Sequence, residues 1–226
     1  MPPADTSTTW QQQAHEYLVQ GRYDRAAALY EQAIEAEPKI SSYYWHYGLL
    51  LLLQGEEAEA QTTWLLALSE VDPEQIEQSN AELISVLQTE AERRESFCDY
   101  SMAWAIRQHI REIASDYIDN LLQLVRLSIE IELFTPDIFE EIGLIYQIQV
   151  EHSTFDPALA LDVIKVVLSQ LLPSPEILNL IEVCRKRISS PKAWHDVLIP
   201  AAFKLGYDLQ KPKEAAALIE AVLQIC

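Results

Sequence analysis

A spacing of 34 residues constrains this chain more than any other feature of it. The stretch GRYDRAAALYEQAIEAEP, Gly21 to Pro38, returns one period later. Gly21 falls on Gly55, Ala26 on Ala60, Tyr30 on Trp64 and Ala33 on Ala67, and Pro38 falls one short of Pro73. Upstream, Trp10 falls on Tyr44, Ala14 on Gly48 and Tyr17 on Leu51. The spacing has a mechanical reason. Two antiparallel helices approach closely only where small residues (Ala14 or Gly48, Ala26 or Ala60) sit at the crossing of their axes. Aromatics then fill the space between neighbouring helices, and Gly21 or Gly55 permits the tight turn. The stretch therefore reads as the second helix of a repeated hairpin, with Thr8 to Gln20 as the first.

The rest of the sequence agrees with a wholly helical chain. It has only 5 Gly in 226 residues, is rich in Leu, Ala, Glu and Gln, and shows little apolar-polar alternation. Helix starts are marked by a capping side chain directly before proline at Asp72-Pro73, Thr135-Pro136, Asp156-Pro157, Ser174-Pro175 and Ser190-Pro191. Asp72 and Gln75 also have capping-box spacing. Amphipathic segments lie at roughly 73–96, 98–114, 116–132, 136–150, 157–171, 175–188, 191–208 and 212–225. The expected fold is all-α, a right-handed α-α superhelix of about twelve helices.

Residues 7–40 and 41–74 resemble two consecutive tetratricopeptide repeat (TPR) motifs. After residue 74 the period degrades, so 75–226 is expected to hold degenerate TPR-like repeats continuous with the first part. Asp99-Tyr100-Ser101-Met102-Ala103 resembles Arg22 to Ala26 but comes one to three turns late, as though the helix from Pro73 to about Ser96 had been stretched. The last segment, KEAAALIEAVLQIC, stops in mid-pattern and reads as the front part of a longer protein. SSYYWHYGLLLLLQGEEAEAQTTWLLAL and the following AELISVLQTEAERRESFCDYSMAWAIRQHIREI are similar to the N-terminal region of cyanobacterial TPR proteins. In those proteins the C-terminal part is a glycosyltransferase of the SPINDLY or O-GlcNAc-transferase type, or in some architectures a methyltransferase. The resemblance covers residues 10 to about 135. It implies a non-catalytic region that recognises partners or substrates for a transferase. The alternative is a free-standing TPR adaptor, which a reading frame ending near Cys226 would favour.

Charge and motif content narrow the function further. The net charge of −19 argues against nucleic acid, which is bound mainly by clustered Lys and Arg. The compact basic run Arg185-Lys186-Arg187 reads as a solvated helix end. Three scattered cysteines (Cys98, Cys184, Cys226) offer neither a disulfide framework nor a metal pair, which fits a reducing cytoplasm. No signal peptide is evident, and the greasy run Leu49 to Leu53 is far too short to span a membrane. There is no GxGxxG, GxxxxGK[ST], GxSxG or HExxH, so no catalytic residue, cofactor site or metal site is expected. His109 and Glu112 share a helical face, but a second Glu-x-x-His helix is missing, which leaves a surface hydrogen bond.

Protein or peptide segments are the partners this pattern implies. Carrying over TPR groove positions, the first repeat presents Gln11, His15, Leu18 and Val19. The second presents Trp45, Leu49, Leu52 and Leu53. Neither set holds the Lys and Asn of a carboxylate-binding clamp, nor repeated groove asparagines; Gln12 and His46 stand there, with Asn80 alone further on. Trp45 is out of phase with the packing positions Tyr44, Gly48 and Leu51. With its three leucines it forms an apolar strip with two readings: a face covered by neighbouring helices, or an exposed anchor for a partner with basic flanks or for a second copy of the chain in a homodimer.

Overall fold

The structure, a computed structural model, describes residues 9–133, 190–208 and 210–223, with single positions between 144 and 188. Every element among the described residues is helical. The chain divides into two compact units, Met1–Phe97 and Cys98–Cys226. The expected change from regular to degenerate repeats at residue 74 does not coincide with this division.

The first unit contains α1 (Trp10–Val19), α2 (Tyr23–Ala36), α3 (Ser41–Leu53), α4 (Glu57–Ser69) and α5 (Ile76–Ser96). A capping box opens α1: Thr9 Oγ1 accepts the Gln12 N–H, and the Gln12 side chain accepts the Thr9 N–H. α1 packs on α2, α2 on α3, and α3 on α4. The small residues Ala14, Ala26, Gly48 and Ala60 are all buried, as close helix approach requires. Gly48 lies against the indole of Trp64, whose ring carbon Cδ1 stands 2.7 Å from where a β-carbon would be.

Each hairpin turns on one left-handed residue. Gly21 has φ +73° and Gly55 φ +87°. Around them Arg22 N–H donates to Tyr17 O at 2.8 Å and Glu56 N–H to Leu51 O at 3.0 Å, closing the preceding helix. The following residue is nearly superimposable in the two turns, Arg22 at φ −94°, ψ 61° and Glu56 at φ −92°, ψ 62°, and neither side chain caps its helix.

This turn recurs in the second unit. Cys98 has φ +59°, and Asp99 follows at φ −85°, ψ 62° before α6 (Tyr100–Ile113). α7 (Ile118–Glu130) is followed by Glu132, again left-handed at φ +57° and 34 residues beyond Cys98. Ala103 is buried four residues after Asp99, as Ala26 and Ala60 are four after Arg22 and Glu56. The period that fades from the side chains after residue 74 thus persists in the backbone. Cys98 stands 43 residues past Gly55 instead of 34. α5 takes up eight of these nine residues, with 21 against 13 in α3. The stretching inferred for this helix is present. The Asp72–Gln75 capping box is not: the Asp72 side chain makes no cap bond, and a 3-10 turn, Pro73–Gln75, precedes α5 with Gln75 N–H donating to Asp72 O.

Also in the second unit are α8 (Pro191–Phe203), a π-helical turn over Lys204–Asp208 and α9 (Pro212–Leu223). Pro191 opens α8 and Ser190 Oγ accepts the Ala193 N–H, as its sequence signal required. Leu121, Leu122 and Val125 of α7 belong to one core with Trp194 and Leu198 of α8 and Leu218 of α9. The Trp194 indole N–H donates to Ile188 O at 3.0 Å, so this buried aromatic is satisfied. Nine α-helices are bounded among the described residues. The helices expected at 136–150, 157–171 and 175–188, with caps at Thr135, Asp156 and Ser174, lie outside them apart from single positions.

Candidate peptide-binding cleft

α3, SSYYWHYGLLLLL, has almost no polar face, and a helix apolar all round is stable only when surrounded. It is surrounded: α2, α4 and α5 all pack on it. Trp45 is 0 % exposed and Leu49 3 %, with Leu52 and Leu53 also buried. The expected exposed anchor at Trp45 is therefore corrected to a core residue. The physical reason is that α5 occupies a side of α3 that was assigned to a partner. Of the α1 positions, Gln11, His15 and Val19 are exposed and Leu18 is half-buried.

What remains open is a cleft of about 280 Å³ between α1, α3 and α5. It brings together three of the eight expected groove residues, His15, Leu18 and Leu49, and excludes Val19, Trp45, Leu52 and Leu53. Gln11 lies outside it, in a shallow hollow on α1 that shares His15. The cleft also takes in His46 of α3, noted above at a groove-asparagine position, while sequence reasoning missed Tyr30 of α2 and the α5 residues Ser85, Val86, Thr89, Glu90 and Arg93. The available signal was helical spacing: positions 86, 89 (with 90) and 93 recur every three or four residues along one face.

An aromatic ladder backs the cleft. Trp10 meets Tyr30 edge-on at 5.3 Å and Tyr43 at 5.2 Å, and Tyr30 stacks on His46 at 5.1 Å. Burial, with Tyr43 nearby, pushes the Tyr30 hydroxyl up to about 12, so it stays protonated. His46 Nδ1 lies 2.8 Å from the Ser42 carbonyl, which can only accept, so Nδ1–H donates and fixes the tautomer. Nε2 is then the acceptor, and it makes no hydrogen bond among the described residues.

Burial holds the His46 imidazole below its usual 6.5, opposed by the Ser42 bond and aided by His15. In the unfolded chain His46 takes up a proton near 6.5, whereas the folded chain takes it up only at lower pH. Its contribution to stability is therefore complete above about pH 6.5 and declines as pH falls towards the folded value. His46→Gln should shrink the drop in thermal midpoint between about pH 7 and about pH 5. An unchanged drop would show that other groups carry it.

At the α5 wall a carboxylate holds two arginines. Glu90, 3 % exposed, accepts from Arg93 Nε and Nη2, both at 2.7 Å, and from Arg94 Nε at 2.6 Å. Arg94 Nη2 also donates to the Tyr23 hydroxyl at 2.6 Å, tying α5 to α2. Three charge-assisted bonds offset the cost of burying Glu90. The bonds to Glu90 raise the Arg93 guanidinium further above its ordinary range. They leave Arg93 Nη1 without a hydrogen bond among the described residues. The cluster holds one net positive charge, in a chain of net −19.

The second unit adds no comparable site among the described residues. His109 Nδ1 lies 3.3 Å from Glu112 Oε2, but His109 is buried, which corrects the expected surface pair. No group of three His, Cys, Asp or Glu residues there could hold a metal ion. No helix among the described residues is long and apolar enough to cross a membrane.

Residues 12–74 match the family model of the tetratricopeptide repeat. The match spans α1 to α4, the two hairpins whose turns and crossings are described above, and together they support a TPR-repeat protein. Repeats of this family suggest a protein–protein interaction module. No curated protein matches the chain.

Proposed function

We propose that the first unit binds an extended segment of a partner protein and seats one bulky apolar side chain in the cleft between α1, α3 and α5. The carrying observation is the cleft itself. At about 280 Å³ it lies at or below the roughly 300–1,000 Å³ of small-molecule sites, which suits a side chain better than a cofactor. Leu18, Leu49, Leu50 and Val86 supply apolar wall, and the unspent Nε2 of His46 and Nη1 of Arg93 can pair with a backbone N–H and C=O beside that side chain. The chain's acidity favours basic residues flanking the anchor and makes binding weaken with salt. On its resemblance over residues 10 to about 135, the module serves a glycosyltransferase as its partner-recognition region. Neither Cys98 nor Cys184 takes part in a disulfide, which supports a cytoplasmic setting.

A peptide-display selection on the purified chain tests the reading. Enriched peptides should share a bulky apolar residue. Leu18→Asp and Val86→Asp, both half-buried in the cleft wall, should weaken a selected peptide at least about tenfold in fluorescence anisotropy. Val19→Asp, exposed and outside the cleft, should leave it unchanged. Peptides that bind the cleft variants as well as the parent chain would remove the cleft from the account.

A further inference from the structure

Two surfaces outside the cleft carry more exposed apolar area than a solvated helix needs. On α8 and the π-helical turn, Ile199, Phe203 and Tyr207 recur every fourth residue and are all exposed, the two rings at 67 % and 72 %. Phe203 and Tyr207 stack on each other with centroids 5.5 Å apart, so together they form one rigid projecting knob. Lys204 lies between them in sequence, and Lys211 follows the turn, its N–H donating to Leu205 O at 2.7 Å. This is the basic stretch of the sequence. Residues 185–226 contain seven Lys and Arg against four Asp and Glu, whereas the preceding 184 contain nine against 31.

The second surface is on α4, in the first unit. Leu65 and Leu66 are 67 % and 57 % exposed, and the helix carries Glu57 and Glu59, is followed by Glu70, and contains no Lys or Arg. Beside Leu66 lies an open hollow of about 710 Å³ whose apolar lining comes from Pro38, Tyr44, Leu66 and Ala67, with Lys39, Ser41 and Glu70 as its polar lining. The hollow is wide enough for an aromatic ring.

We infer that the chain associates head to tail with a second copy of itself, the Phe203–Tyr207 knob of one copy entering the Leu66 hollow of the next. Apolar complements apolar, and lysines beside the knob meet carboxylates beside the hollow. A second copy is favoured over an unrelated partner because the chain itself presents both halves of the contact. The two surfaces differ, so the contact is heterologous, and each bound copy still offers one unoccupied face.

Sedimentation velocity on the full chain reads this directly. The parent chain should grow in mass with concentration, and less so at high salt. Phe203→Ser/Tyr207→Ser and Leu65→Ser/Leu66→Ser alter exposed side chains only, and circular dichroism verifies that each variant remains folded. Each alone should lose self-association by about tenfold or more. Mixed in equal amounts, the two should recover a one-to-one complex that grows no further, because each supplies the face the other lacks. A parent chain that stays monomeric at every concentration overturns the inference. So does a mixture that fails to associate, or a defect confined to the Phe203/Tyr207 variant, which would assign the knob to another occupant.

Discussion

Trp45→Ala is expected to cost the first unit about 4 kcal/mol, the range for truncating a fully buried tryptophan. The residue is 0 % exposed, and the helix that carries it is packed by α2, α4 and α5, so the surroundings cannot close over the void without moving three helices. Its indole N–H is buried with no hydrogen-bond partner among the described residues. An unpaired buried donor is a cost already present in the native protein, and Trp45→Phe removes it while keeping most of the ring. That variant should stay within about 1 kcal/mol of the parent chain. Urea midpoints followed by circular dichroism separate the two outcomes. A change below about 1 kcal/mol for Trp45→Ala would instead mark a surface residue.

Gly48→Ala should be nearly as damaging, at about 3 kcal/mol, for the opposite reason. The added methyl would meet Trp64, with both Cδ1 and Cε2 at 2.7 Å, and a fused ring cannot bend away as a flexible side chain would. Moving the ring would also break the bond from Trp64 Nε1 to Trp45 O, which stands at 3.2 Å. Because the clash is with one residue, Trp64→Leu should relieve it, and the double variant should cost less than the sum of the singles. Strict additivity in a double-mutant cycle would place the strain elsewhere.

These two residues also show what the sequence does and does not encode. Gly48 was legible as a packing position because it repeats Ala14 at the period, and a small residue at a helix crossing has one main physical use. Trp45 was misread because a single repeat does not reveal what packs on its third side. That side belongs to α5, whose own register is hidden by its added length. The same displacement concealed the α5 half of the cleft. His15, Leu18 and Leu49 could be placed from the regular repeats, but Val86, Thr89 and Glu90 could be placed only by knowing which face of the longer helix turns inward. Cys98 shows the limit from another direction. Glycine announces a left-handed turn in sequence, while a cysteine in the same conformation announces nothing.

Four of the five left-handed residues among those described have an evolutionary consequence. Gly21, Gly55, Cys98 and Glu132 end their helices by backbone geometry, and the residues after the first three, Arg22, Glu56 and Asp99, share a conformation without any side-chain cap. A joint of this kind is defined within a few residues of itself. About two extra turns of helix could enter before Cys98 while α6 and α7 kept the lengths and end geometry of α2 and α3. Insertions that would scramble the register of a sheet are confined here to the helix that receives them. A lineage built on such joints can lengthen one helix, and so reshape one recognition surface, without redesigning its neighbours.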